Sequence, residues 1–77
     1  MEKFESIERY LKEYFLGREV LVRTIYWVKG KHIEESYKGV LVGIGKSVHG
    51  GLGNLLLEEE GRKYIVRGGI IEIIGLL

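Results

Sequence analysis

Residues 62–74 read RKYIVRGGIIEII, and how this stretch is parsed decides the strand content of the chain. Arg62 to Val66 is rich in β-branched and aromatic residues and predicts a strand. Arg67-Gly68 leaves room only for a tight connection. Gly69 to Ile74 then predicts a further strand, apolar on both faces apart from Glu72. An apolar strand left at an exposed sheet edge invites pairing with another chain. Two outcomes satisfy it: burial within one subunit, or pairing with a second copy.

Working upstream, Asn54 to Glu59 predicts a strand and Glu60-Gly61 a tight turn into Arg62. Residues 46–53, KSVHGGLG, form a glycine-rich loop. Residues 32–45 predict a long strand containing Gly39, Gly43 and Gly45. Glycines inside a strand mark bends, bulges or close backbone approach, and this spacing suits a strand curling round a small barrel. Lys29-Gly30-Lys31 predicts a turn, and residues 18–28 before it a strand rich in Val, Ile, Tyr and Trp. Gly17 marks the change from helical to strand periodicity and suits a left-handed helix cap. Residues 3–16 predict a helix whose apolar stripe is Phe4, Ile7, Leu11, Tyr14 and Phe15. Glu5 with Arg9 and Glu8 with Lys12 are acid-before-base pairs on its outer face. The expected fold is one domain over residues 1–77, mostly β: an N-terminal helix, then five short antiparallel strands strongly bent round a small barrel.

The 77-residue chain is marginal on its core alone, and such chains use disulfides, metals or oligomerisation for support. The absence of cysteine excludes disulfides and thiolate metal sites. His32 and His49 alone cannot cage a metal. Oligomerisation is the remaining common remedy. A hydrophobic content of 45% excludes the disordered class. No apolar run approaches the roughly 20 residues of a membrane helix. MEKFESIERY is charged and amphipathic, unlike a signal peptide, so a cytoplasmic protein is expected. A net charge of +1 gives only a weak whole-chain field, so a nucleic-acid partner needs a local basic site. The chain has no Pro, Gln, Asp, Ala or Cys and all its acidic residues are Glu, a composition that fits a thermophile source.

Catalysis finds little support. Ser6, Ser36 and Ser47 lie in no nucleophile elbow. Glu58, Glu59 and Glu60 read as a solvated strand end and turn. Lys46, His49 and the glycines of the loop match no phosphate-binding pattern. No enzyme activity, cofactor, metal or small-molecule substrate is expected.

The order of motifs resembles the Sm and Sm-like (LSm) family, in a divergent, archaeal-type form. Gly39, Leu41 and Gly43 match the start of that family's first signature half, and Asn54, Leu55 and Leu57 its end. Ile65-Val66-Arg67-Gly68 followed by Ile70, Ile71, Ile73 and Ile74 matches the second half. Leu16 to Val22 resembles the family's helix-to-strand junction. The sequence departs from the pattern where Gly45 stands near the position of the family's Asp. Asn54 arrives late, so the loop before it is enlarged. Leu52 stands where many members carry a base-stacking His or aromatic residue, and Gly69 lacks the polar side chain some members carry.

The resemblance implies an Sm-like, SH3-type barrel in which the fourth strand of one subunit pairs with the fifth of the next. Such a head-to-tail contact closes into a ring, here a homo-oligomer of about six or seven copies with seven favoured. It further implies binding of single-stranded, U-rich RNA at the pore, in RNA processing or as an RNA chaperone. The residues implied are Asn54, Arg67, Gly68, His49 and Leu52. Arg67 offers a planar cation for stacking, Asn54 an amide for a base edge, and Gly68 close backbone approach. His49 would stack across the ring mouth, and Leu52 occupies the family's stacking position. Asn54 also has a purely structural reading, holding the loop to the Arg67-Gly68 turn. Two rival functions remain: a protein-interaction ring that has lost uridine binding, and an SH3-like barrel serving as one domain of an enzyme complex.

Overall fold

The computed structural model describes residues 3–67 and 69–77. A helix, α1 (Lys3–Tyr14), precedes five strands: β1 (Glu19–Val28), β2 (Lys31–Lys46), β3 (Leu52–Glu59), β4 (Arg62–Arg67) and β5 (Ile70–Leu76). They form one sheet in the order β4-β3-β2-β1-β5, and every pairing is antiparallel. The chain is therefore mostly β with one N-terminal helix. Among the described residues no ladder joins β4 to β5, so these two strands are the edges of the sheet.

The helix ends two residues before the expected Leu16, because the backbone there is claimed elsewhere. Leu16 forms a bridge with Leu41. The Gly17 amide donates to Leu41 O at 2.8 Å, and the Leu41 amide donates to Arg18 O at 3.1 Å. Gly17, at φ 81°, makes the reversal that only glycine adopts cheaply. Of the expected stripe, Leu11 is buried and Ile7 and Phe15 pack on the core, but Tyr14 is 49% exposed.

Two hairpins have the same turn chemistry. Lys29 (φ 50°) with Gly30 (φ 77°) joins β1 to β2, and Glu60 (φ 52°) with Gly61 (φ 78°) joins β3 to β4. Positive φ at both central positions is the mark of a two-residue turn whose twist matches the flanking strands. Lys31, expected in the first turn, is instead the first residue of β2.

β2 is the strand that bends the sheet. Its residues 31–40 pair with β1, while residues 40–46 pair with β3, so the ladders overlap only at Val40. The register shifts between Leu41 and Gly43 and again between Gly45 and Lys46. Gly39 permits the crossing: a Cβ there would stand 2.9 Å from Glu58 O and 3.3 Å from Leu57 Cβ. The core lies on the inner face. Val20, Val22, Leu41, Leu55 and Leu57 are wholly buried, with Val66 and Leu11 beside them. Burial of each such side chain stabilises the fold by about 1.5–3 kcal/mol.

The last strand begins later and runs further than the expected 69–74. It pairs with β1 from Ile70 opposite Ile25 to Leu76 opposite Val20, and a register shift skips Ile74. Glu72, the polar exception in this strand, meets Arg23 across the ladder, with Arg23 Nη2 donating to Oε1 at 3.2 Å. No helix among the described residues is long and apolar enough to cross a membrane.

Candidate nucleic-acid interface

The loop before β3 is shorter than the sequence suggests, because Leu52 and Gly53 already belong to the strand. Ser47 organises it. Its Oγ accepts from the His49 and Gly51 amides, both at 3.2 Å, and its own amide donates to Gly51 O at 2.8 Å. Gly53 lies so close that a Cβ there would fall 2.7 Å from Ser47 N. The sequence shows only glycines here; the serine that ties them together stands out only in the structure.

Register brings two of the expected site residues together. Asn54 on β3 lies directly opposite Arg67 on β4, and on its other side opposite Gly45 on β2. The three form a row across the sheet. The Asn54 amide occupies the space that a side chain at position 45 would need: a Cβ there would stand 2.6 Å from Asn54 Cγ. Asn54 is half-buried, and Arg67 is exposed at the end of the edge strand. A planar cation beside an anchored amide is a combination that can stack on a base and read its edge.

The other expected residues are placed differently. Leu52 opens β3 opposite Lys46, and its side chain packs against the core. His49 is exposed on the loop, with its backbone turned to Ser47. Gly68 lies outside the described residues. Its neighbour Gly69 passes close over β1: a Cβ there would stand 3.2 Å from Ile25 O and 3.9 Å from Tyr26 Cα. Gly69 thus lies beside Tyr26.

Nearby lies a feature the sequence reading missed. A cleft of about 460 Å³ lies between the β1–β2 hairpin and β4, lined by Tyr26, Glu35, Tyr37, Ile65, Val66 and Arg67. Within it the Glu35 carboxylate accepts hydrogen bonds from two phenols. Tyr26 donates to Oε1, and Tyr37 donates to Oε2 at 2.8 Å. The Tyr26 and Tyr37 hydroxyls hold the Glu35 carboxyl below the usual carboxylate range. The same bonds to Glu35 push both phenols above the usual tyrosine range. Beside the cleft, Tyr64 donates to Lys38 O at 2.6 Å, and its ring stands 6.1 Å from that of Tyr37. Burial raises the Tyr64 phenol as well, with the Glu59 charge adding to it. One signal was present: positions 35, 37, 39 and 41 share a strand face, which sets Glu35 and Tyr37 side by side on it.

Among the described residues no group of three or more potential ligands is placed to hold a metal ion. Comparison of the chain with protein-family models, with curated proteins and with solved structures finds no match in any of the three. The residues and their geometry therefore carry the functional reading.

Proposed function

We propose that this chain is an Sm-like, ring-forming protein that holds single-stranded, U-rich RNA at its pore, in RNA processing or as an RNA chaperone in the cytoplasm. The observation that carries the reading is the pairing of Asn54 with Arg67 at the end of the edge strand. It places an Asn and an Arg opposite each other on neighbouring strands, just before β5 begins.

Ring formation has support of its own. Ile65 on β4 and Ile70, Ile74 and Leu76 on β5 are about half exposed, at 53%, 46%, 50% and 43%. Among the described residues both strands hydrogen-bond to a neighbouring strand on one side only. Pairing β4 of one copy with β5 of the next would satisfy both edges, complete the barrel-like wall and generate a closed head-to-tail ring, seven copies being favoured over six. Native mass spectrometry reads the subunit number. Fluorescence anisotropy with a labelled oligo(U) reads binding. Arg67→Ala and Asn54→Ala are each expected to weaken it roughly tenfold or more, the loss of one stacked base, while the ring survives. Failure to bind any single strand at low salt would sink the RNA reading.

A second reading is a protein-interaction ring without uridine binding. It is favoured by Leu52, whose side chain packs on the core instead of offering a stacking surface. Copurification of a protein partner without RNA would select it. A monomer by light scattering would remove both rings and favour an SH3-like domain of a larger complex.

A further inference from the structure

We propose that the Tyr26–Glu35–Tyr37 cleft is a guanine-selective pocket that extends the Asn54–Arg67 track; the inference rests on the single-strand reading, because Arg67 belongs to both. The cleft, about 460 Å³, is open to solvent, with Glu35, Ile65 and Arg67 exposed along it. It combines tyrosine rings, the apolar wall of Ile65 and Val66, one carboxylate and one guanidinium.

The carboxylate sets the selectivity. An ionised carboxylate only accepts hydrogen bonds and has about four lone-pair positions. The two phenols use one on each oxygen, which leaves one on each for a ligand. The phenols also fix the plane of the carboxylate, so its two open positions point as a pair. Guanine presents two adjacent donors on its pairing edge, N1–H and the 2-amino group, and these match such a pair. Adenine and cytosine set an acceptor nitrogen beside their amino donor, and uracil flanks its single N–H with two carbonyls. Each of these would turn an acceptor toward Glu35, at a cost in affinity. Arg67 at the cleft edge supplies the opposite charge for the adjoining phosphate.

The test compares three labelled oligonucleotides by fluorescence anisotropy: oligo(U), oligo(U) with one central guanosine, and the same strand with inosine, which lacks only the 2-amino group. The guanosine strand is expected to bind at least about tenfold more tightly than the inosine strand, one hydrogen bond to a charged acceptor. Glu35→Gln turns one acceptor into a donor and is expected to abolish that preference while leaving oligo(U) affinity unchanged. Equal binding of guanosine and inosine strands by the native protein overturns the pocket, and so does a preference that survives Glu35→Gln. Oligo(U) binding without guanosine preference sinks the pocket alone; no binding of any strand sinks the single-strand reading and the pocket with it. The native-protein comparison stands even if the variant misfolds.

Discussion

β3 and β5 are both dense in leucine and isoleucine, yet they fare differently. Leu55 and Leu57 of β3 are wholly buried, whereas Ile70, Ile74 and Leu76 of β5 stay about half exposed. The difference is one of position in the sheet. β3 has hydrogen-bonded neighbours on both sides, and its inner face lies under α1 and the bend of β2. β5 has β1 on one side and, among the described residues, no strand on the other. Ile71 and Ile73 still reach the core. The same residue types thus lie enclosed in the core in one strand and stay open to solvent in the other.

That contrast can be broken by substitution. Leu57→Ala should cost the most, about 2–5 kcal/mol of unfolding free energy by urea titration, because a fully enclosed side chain leaves a cavity. Gly39→Ala should follow at about 1–3 kcal/mol, since its Cβ would press on backbone at Glu58 that cannot easily yield. Ile74→Lys on β5 should change monomer stability by only about 0.5 kcal/mol, as exposed positions do, yet dissociate the ring proposed above in native mass spectrometry. If Ile74→Lys instead unfolds the chain, β5 is a core strand and the contrast fails. Glu72→Ala, which removes the half-exposed ion pair with Arg23, should cost about 0.2–1 kcal/mol, less at high salt.

The smallest effect expected is that of pH on the cleft. Glu35 has a lowered pKa, so its contribution is complete above the ordinary carboxylate range and fades as pH falls through the folded value. Tyr26 and Tyr37 have raised values, so theirs is complete below the ordinary phenol range and fades as pH rises through the folded values. Thermal melts of Glu35→Gln should therefore lose part of the acid-side slope seen in the native protein. An unchanged slope would mean that the carboxylate–phenol bonds do not persist in solution.

Much of the fold was legible in the sequence. The switch at Gly17 from helical to alternating period, and the Gly30 and Gly61 turns, fixed the helix, five strands and their hairpin order. Local chemistry was enough there, since each turn joins neighbours. Ends were less legible: Leu16 was drawn off by Leu41, and Leu52 joined β3 ahead of the expected Asn54, both through long-range backbone pairing. In the site, the meeting of Asn54 with Arg67 follows from the Glu60-Gly61 turn, which sets that register. The cleft did not follow. It needs β4 to pass beside the β1–β2 hairpin, which depends on the bend in β2. Tyr26 therefore read only as a strand former, and Glu35 was not singled out.

The overlap of the two ladders at Val40 has a kinetic consequence. Neither half of the sheet can be completed without β2, so the chain has no smaller unit able to fold separately. Amide protons near Val40 should exchange with solvent only through global opening, while those of β4 and β5 escape by local fraying at the margins.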